Sequence, residues 1–173
     1  MHALITGAPG SGKSTLIHRV LEELKLPVWG YESKKEPALA DSEGMIPVYL
    51  YEIGRPHLQT GENLAGCCNG RGAHPNLAAF DRFAPKLSAP VPENTLVVLD
   101  EIGIMESKSE PFTQAILALL DGDAPVIAAV KSKHTPFLET VRSHPKARCF
   151  YLTPENREET FRQVVAFLKE QLP

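Results

Sequence analysis

The stretch GAPGSGKS at residues 7–14 decides the fold, because glycines at this spacing before a lysine and a serine are typical of a phosphate-binding loop. A short apolar run at residues 3–6 precedes it, and apolar residues recur at spacings of one, three or four from residue 16 to residue 24. These patterns indicate a buried strand before the loop and a helix that begins near Lys13. The stretch therefore predicts an α/β protein with the loop at the carboxyl end of its first strand.

The residue types of this loop indicate its chemistry. Glycines allow successive backbone N–H groups to converge on phosphate oxygens, and the helix amino terminus adds partial positive charge. In such a loop Lys13 bridges the β- and γ-phosphates, the Ser14 hydroxyl ligates Mg²⁺, and Thr15 can reach the α-phosphate. The predicted nucleotide-binding residues here are Gly7, Ala8, Pro9, Gly10, Ser11, Gly12, Lys13, Ser14 and Thr15.

A second informative stretch is LVVLDE at residues 96–101, an apolar strand that ends in two carboxylates. Open α/β sheets bind their ligands at this end of the strands. We expect Asp100 to complete the Mg²⁺ site with Ser14, and Glu101 to orient the water that attacks the γ-phosphate. Lys13 and Glu101 are thus the predicted catalytic residues, and hydrolysis of a nucleoside triphosphate is favoured over binding alone.

The residues Asp100 to Gly103 also fit the short Asp-x-x-Gly pattern of GTP switches. Such switches further require Asn-Lys-x-Asp on a later strand to recognise guanine. The nearest basic stretch is Lys131-Ser132-Lys133-His134, which does not match. The sequence therefore does not favour a dedicated GTP switch.

Short apolar runs alternate with amphipathic helical patterns along the rest of the chain, which favours a parallel sheet with crossover helices. Approximately from residue 32 to residue 92, glycine, proline and polar content rises, which predicts peripheral strands and loops inserted into one domain that spans residues 1–173. Ile46–Ile53 is expected there as an edge strand or part of a hairpin. The further predicted elements are strands at Val28–Tyr31, Leu96–Leu99, Val126–Val130 and Arg148–Leu152, a helix opened by Pro111, and a closing helix capped by Thr153-Pro154.

Composition argues against several classes of function. The 173 residues carry 21 acidic and 18 basic side chains, a formal net charge of −3, so bulk electrostatics does not favour nucleic acid as a partner. The longest apolar runs are far shorter than the roughly 18 residues of a membrane span, and the first residues lack the pattern of an export signal. We expect a cytoplasmic protein without a membrane partner, whose three cysteines are thiols.

Several other side chains are candidates on weaker grounds. Asn156 and Arg157 follow the last strand and could hydrogen-bond or stack on the base, although helix capping and surface charge explain them equally well. Lys131 ends the strand after the acid pair and could sense the γ-phosphate. Candidates for an arginine finger are Arg55, Arg71 and Arg82, each of which is more often a solvated side chain.

Cys67, Cys68 and His74 suggest a zinc site, but zinc prefers Cys-x-x-Cys spacing and four ligands, so free thiols are the stronger expectation. Three further histidines have proline or polar neighbours, and we expect them at the surface: His57, His134 and His144.

Three motifs, in matching order and spacing, resemble those of the small nucleoside-triphosphatase family. Gly7–Thr15 resembles the family's loop, DEIGIME at residues 100–106 resembles its Asp-Glu-Ile-Gly-Lys-Met-Glu block, and TPENR at residues 153–157 resembles its Val-Thr-x-Glu-Asn-Arg segment. The resemblance covers nearly the whole chain, and the acidic block is its most specific part. It implies slow, Mg²⁺-dependent hydrolysis of several nucleoside triphosphates by an α/β, three-layer, RecA-like P-loop NTPase domain with a mainly parallel sheet and a peripheral antiparallel hairpin.

The chain departs from the family pattern on the side that would face a substrate. GYESKK at residues 30–35 replaces Gly-Phe-x-Thr-x-Glu, IPVY at 46–49 replaces Arg-x-Gly-Phe, Gly72-Ala73-His74 replaces Gly-x-Tyr, and Ile104 replaces the lysine of the acidic block. Two alternatives therefore stay open beside hydrolysis of ATP, GTP or other nucleoside triphosphates to the diphosphate and phosphate. One is a nucleotide or small-molecule kinase in which Glu101 activates an acceptor hydroxyl. The other is a nucleotide-dependent adaptor with negligible turnover.

Overall fold

In a computed structural model that describes residues 1–172, the chain folds as a three-layer α/β protein with one mixed sheet between helices. The strands are β1 (His2–Gly7), β2 (Val28–Lys35), β3 (Ile46–Glu52), β4 (Leu64–Asn69), β5 (Gly72–Pro75), β6 (Leu96–Ile102), β7 (Val126–Lys131) and β8 (Ala147–Tyr151). Their order in the sheet is β5-β4-β3-β2-β6-β7-β1-β8. The part from β2 to β8 is parallel, and β3, β4 and β5 extend it antiparallel beyond β2. The predicted fold class is confirmed.

Helices cover both faces of the sheet. They are α1 (Lys13–Leu24), α2 (Leu77–Leu87), α3 (Glu110–Asp121), α4 (Pro136–Arg142) and α5 (Arg157–Gln171). Successive residues of a strand point to opposite faces, and in β6 Leu96 and Val98 pack with α1 and α5, whereas Val97 and Leu99 pack with α2, α3 and α4. All four are fully buried, so β6 lies at the centre of both cores and holds its carboxyl end in a fixed place.

The strand predictions are right in position, and two of the strands are longer than their apolar runs. β2 continues from Tyr31 to Lys35 because this half pairs antiparallel with β3, whereas the pairing with β6 ends at Glu32. β6 continues through Asp100 and Glu101 to Ile102. β3 is bonded on both sides, by β2 and β4, so the expected edge strand is wrong and the hairpin expectation is right.

Two helices, α2 and α4, were not expected from the sequence, and the start of a third differs. Pro85 lies in the last turn of α2 and weakened the helical pattern, yet Phe80, Phe83 and Leu87 bury one face of this helix in the core. The closing helix α5 begins at Arg157, so Thr153-Pro154 is not its cap. Those two residues belong to a turn before the helix, in which the backbone N–H of Thr153 donates to the Asn156 side chain.

The expectation of surface positions is right for His57 and His134 and wrong for His144. His134 is exposed. The His57 ring stacks on Tyr51 with ring centroids 4.1 Å apart and pairs with the buried Glu32, and His144 is largely buried beside Asp121. Among residues 1–172, no helix combines the length and apolar character needed to cross a bilayer.

Candidate nucleotide-binding site

The glycine-rich loop lies where β1 ends and α1 begins. β1 is parallel to both of its neighbours, β7 and β8, so the loop emerges at the carboxyl edge of the sheet. Gly7 has no room for a side chain, because a Cβ there would collide with the carbonyl oxygen of Leu152. Gly12 caps α1 with φ 101°, a value that favours glycine, and the first turn of the helix contains no acidic residue. The helix amino terminus is therefore open to an anion.

Lys13 folds back over the loop that precedes it. Its amine donates hydrogen bonds to the carbonyl oxygens of Gly7, at 3.2 Å, and Ala8, at 3.3 Å, and the residue is buried. The positive charge of the amine is thus held on the concave side of the loop, where the backbone N–H groups and the helix dipole also favour negative charge. The predicted contact of Lys13 with the β- and γ-phosphates stays a prediction.

Ser14 and Asp100 come together across the sheet. The Ser14 hydroxyl donates to Asp100 Oδ1 at 2.9 Å, although the residues are 86 positions apart. Ser14 lies in the first turn of α1, which follows β1, and β7 separates β1 from the strand of Asp100, β6. Burial raises the pKa of the Asp100 carboxyl to about 6, and the hydrogen bond from Ser14 opposes that rise. A buried carboxylate beside a hydroxyl is the all-oxygen donor set that Mg²⁺ prefers, and a divalent cation would offset the desolvation of the carboxylate. These residues fit the predicted metal site.

Glu101 has no pairing partner on β7 in the hydrogen-bonded ladder of the sheet. Its neighbours Asp100 and Ile102 pair with adjacent residues of β7, so Glu101 is the extra residue of a bulge. Its backbone is fixed from β2, because its N–H donates to the Ser33 hydroxyl at 3.3 Å and its carbonyl accepts from the Tyr31 hydroxyl at 3.2 Å. The side chain stays partly exposed at the cavity wall, with its carboxylate 3.4 Å from the Lys131 amine.

The residues after the acid pair form a closed turn. The backbone N–H of Gly103 donates to the Glu106 carboxyl, and the Ser107 hydroxyl donates to the Gly103 carbonyl at 2.8 Å. Burial raises the pKa of Glu106 to about 7. The stem of Lys131 lies against Gly103, where a Cβ would stand only 3.0 Å from Lys131 Cδ. The glycine and glutamate of this block therefore place Lys131 beside Glu101.

These residues surround a cavity of about 510 Å³, which we term the phosphate cavity. Its wall combines loop residues with Glu101 and Lys131 and four residues that the sequence did not single out as site residues: Lys35, Ile104, Ser132 and Lys133. Each of these four lies at or just beyond the carboxyl end of a parallel strand, β2, β6 or β7. That position is the signal that could have identified them, since ligands bind at this edge of open α/β sheets.

Arg157 and Asn156 contact the loop and its surroundings differently. Arg157 Nε donates to the Ser11 carbonyl at 3.0 Å, and its guanidinium lines a recess of about 190 Å³ beside Gly12 and Thr15. The Asn156 amide is engaged within its own turn, where it donates to the Tyr151 carbonyl and accepts from the Thr153 N–H, both at 2.8 Å. The structure thus brings Arg157 to the glycine-rich loop and gives Asn156 backbone partners.

The remaining candidates lie apart from the phosphate cavity. Arg71 lines a neighbouring cavity, whereas Arg55 and Arg82 line a separate one near Lys86. Cys67 and His74 lie opposite each other in the backbone register of β4 and β5. No cluster of three metal-ligating side chains exists within the described part of the chain. Cys67, Cys68 and Cys149 are free thiols.

The three-layer α/β architecture, the glycine-rich loop and the Ser14–Asp100 contact together define a P-loop NTPase fold. The chain belongs to the family whose model is described as NTPase, which matches residues 2–165. It is 31% identical to the nucleoside-triphosphatase THEP1 of Methanothermobacter thermautotrophicus, over 97% of this chain and 96% of that one. It is 30% identical to the cancer-related nucleoside-triphosphatase homolog of Bos taurus, over 97% and 96% of the two chains. The crystal structure of THEP1 from Aquifex aeolicus shares the fold, with a TM-score of 0.71, 23% identity and coverage of 97% and 99%.

Proposed function

We propose that this chain is a Mg²⁺-dependent enzyme that hydrolyses nucleoside triphosphates, ATP and GTP among them, to the diphosphate and phosphate. The Ser14–Asp100 contact carries the proposal, because it brings the loop serine and the strand carboxylate to one point beside the phosphate cavity. The names of the relatives, nucleoside-triphosphatases, support an enzyme over a nucleotide-dependent adaptor.

The residues of the site divide into those that bind the phosphates, those that would hold Mg²⁺ and those near the base. The loop N–H groups and Lys13 bind the β- and γ-phosphates and stabilise the charge that develops on them. Ser14 and Asp100 would hold Mg²⁺, which when bound neutralises phosphate charge and orients the leaving diphosphate. Arg157, which lines the recess beside Gly12 and Thr15, would contact the base, and Asn156 supports the turn before it.

Glu101 orients the attacking water and accepts its proton. The water oxygen bonds to the γ-phosphorus, and the bond from that phosphorus to the β–γ bridging oxygen breaks with its electron pair on the diphosphate. Lys131, 3.4 Å from the Glu101 carboxylate, places a positive charge at the same wall of the cavity. This charge favours binding of the γ-phosphate close to the proposed base.

The Glu101→Gln variant tests the proposal. We expect nucleotide affinity to stay nearly unchanged while turnover falls by ~100-fold or more, since glutamine keeps the shape of the side chain but cannot accept the proton. Phosphate release and binding of a fluorescent triphosphate analogue measure the two quantities. A chelator should abolish phosphate release by the parent protein, and added Mg²⁺ should restore it.

Glu93→Gln is the matched control, because Glu93 is exposed in the loop before β6 and lines neither the phosphate cavity nor its neighbours. It should hydrolyse at the parent rate. Turnover that survives in Glu101→Gln would show that this carboxylate is not the base.

A further inference from the structure

A second cavity adjoins the phosphate cavity. We term it the lateral cavity; it measures about 550 Å³ and lies between the ends of β2 and β7, the β4–β5 turn and the turn at residues 103–106. The two cavities share the wall residues Lys35, Glu101, Ile104, Lys131 and Lys133. Hydrolysis needs only a water, which occupies about 30 Å³. The lateral cavity is far larger and has the volume of a small-molecule site.

The lateral cavity has a cationic wall. The basic residues that line it are Lys35, Arg71, Lys131 and Lys133. Lys131 pairs with Glu101, but the other three have no ion-pair partner within residues 1–172. The second acid of the wall, Glu106, is buried and accepts a hydrogen bond from the backbone of Gly103. The surplus of unpaired positive charge favours an anionic ligand.

The floor of the lateral cavity is apolar. Its carbon and sulfur surface comes from Val48, Cys68, Phe80 and Met105. Ile104 lines both cavities and is 41% exposed. A ligand with a carbon body and an anionic end would cover this floor while its charge meets the basic wall.

Arg71 is the basic residue of this wall that belongs to the lateral cavity alone. It lies in the β4–β5 turn, which Asn69 holds by accepting hydrogen bonds from the N–H groups of Arg71 and Gly72 at 2.8 and 2.9 Å. Arg71 lines the lateral cavity but not the phosphate cavity. Its guanidinium suits an anionic group on the second ligand, since it matches carboxylate and phosphate geometry.

We propose that the lateral cavity binds a second substrate, a small hydroxyl compound that carries a phosphate or carboxylate group, and that the γ-phosphoryl group passes to its hydroxyl. The inference rests on the proposed function, because the same triphosphate must lie in the loop. The acceptor oxygen bonds to the γ-phosphorus, and the bond from that phosphorus to the diphosphate oxygen breaks with its electron pair on the diphosphate. The hydroxyl proton passes to the Glu101 carboxylate, which belongs to both walls. Hydrolysis is then the reaction of the same site with water in place of the acceptor.

The test measures ADP, inorganic phosphate and phosphorylated product together, with Mg²⁺ and ATP as the phosphoryl donor. The probes are glycerol 3-phosphate, ribose 5-phosphate and glycerate, and the matched controls are glycerol and ribose, which have hydroxyls but no charge. We expect at least one anionic probe to raise diphosphate formation by ~10-fold or more over phosphate release alone, and the neutral controls to have no effect. One charge-assisted hydrogen bond to the anion suffices for a factor of this size.

Arg71→Ala separates the lateral cavity from the hydrolytic centre. It should raise the KM for the anionic probe by about 10- to 100-fold and leave phosphate release without acceptor unchanged. Arg82→Ala is the matched control, since Arg82 lines a different cavity, and it should change neither quantity.

Three outcomes would overturn the inference. Persistent hydrolysis without product from any anionic probe leaves the proposed function intact and refutes the acceptor. A loss of acceptor-independent hydrolysis in Arg71→Ala would identify Arg71 as an arginine finger instead. Absence of nucleotide binding by the parent protein would refute the proposed function as well.

Discussion

Lys131 owes its place beside Glu101 to the missing side chain of residue 103. The Lys131 stem occupies the space that a Cβ on Gly103 would enter, 3.0 Å from Cδ and 3.2 Å from Cε. The far end of a lysine is flexible, so an added methyl group displaces the amine rather than the backbone. The amine and the Glu101 carboxylate are 3.4 Å apart, and a small displacement is enough to separate them.

We therefore predict that Gly103→Ala slows turnover by ~3- to 100-fold, the range expected when a charged group is misplaced by up to about 1 Å. The free energy of unfolding should change by less than about 1 kcal/mol, because the substitution meets only a flexible side chain. Phosphate release and urea denaturation measure the two effects.

Gly61→Ala serves as the control, since a Cβ at that position meets nothing within 4 Å. It should behave as the parent protein in both assays. Parent-like turnover in Gly103→Ala would show that Lys131 does not assist the reaction.

At the scale of elements, the turn between β8 and α5 supports the loop from outside. Asn156 closes this turn through two hydrogen bonds of 2.8 Å, and the next residue, Arg157, donates to the Ser11 carbonyl of the loop. This turn therefore contains two side chains with separate roles: Asn156 shapes the turn, and Arg157 contacts the glycine-rich loop.

We predict that Asn156→Ala lowers the free energy of unfolding by about 1 kcal/mol, since both of its hydrogen bonds lie at a partly exposed site. The melting temperature should fall by about 2–4 °C, while nucleotide affinity stays close to that of the parent protein. Arg157→Ala should show the reverse pattern, with weaker nucleotide binding and little loss of stability. Weaker binding in Asn156→Ala at unchanged stability would indicate that Asn156 itself contacts the base.

The elements that could be predicted from the sequence are those whose pattern is contained within one continuous segment. The loop at residues 7–15 and the strand run at residues 96–99 are continuous patterns, and each lies where it was expected. Helix α2 was missed because Pro85 interrupts its pattern and tertiary burial of Phe80 and Phe83 supplies its stability. Such burial is decided by the rest of the fold and cannot be seen within one segment.

At the scale of the whole molecule, the meeting of Ser14 and Asp100 was predictable because carboxyl ends of parallel strands share one edge of the sheet. The lateral cavity was not predictable in the same way. Lys35 and Arg71 meet there because antiparallel strands return the chain to the site. The sequence shows that segment only as a rise in glycine, proline and polar residues.

His2 and Glu106 are buried groups that make the stability of the molecule depend on pH in opposite directions. Burial lowers the pKa of His2 to about 4, so its contribution is present above the ordinary value of 6.5 and is lost as the pH falls towards 4. Burial raises the pKa of Glu106 from 4.5 to about 7. Folding therefore favours the protonated carboxyl, and this contribution is full below pH 4.5 and is lost as the pH rises through 7.

Glu106→Gln removes the second of these effects and keeps an oxygen that can accept from Gly103. The parent protein should lose up to about 3 kcal/mol of unfolding free energy between pH 5 and pH 8 through Glu106, at 1.36 kcal/mol for each unit of pKa shift. The variant should lack that loss and so gain stability relative to the parent as the pH rises, while His2 still lowers its stability on the acid side. Urea denaturation at pH 5, 6, 7 and 8 measures this difference, with Glu93→Gln as the control that should follow the parent. Parallel curves for Glu106→Gln and the parent would mean that Glu106 is already ionised in the folded protein at pH 5.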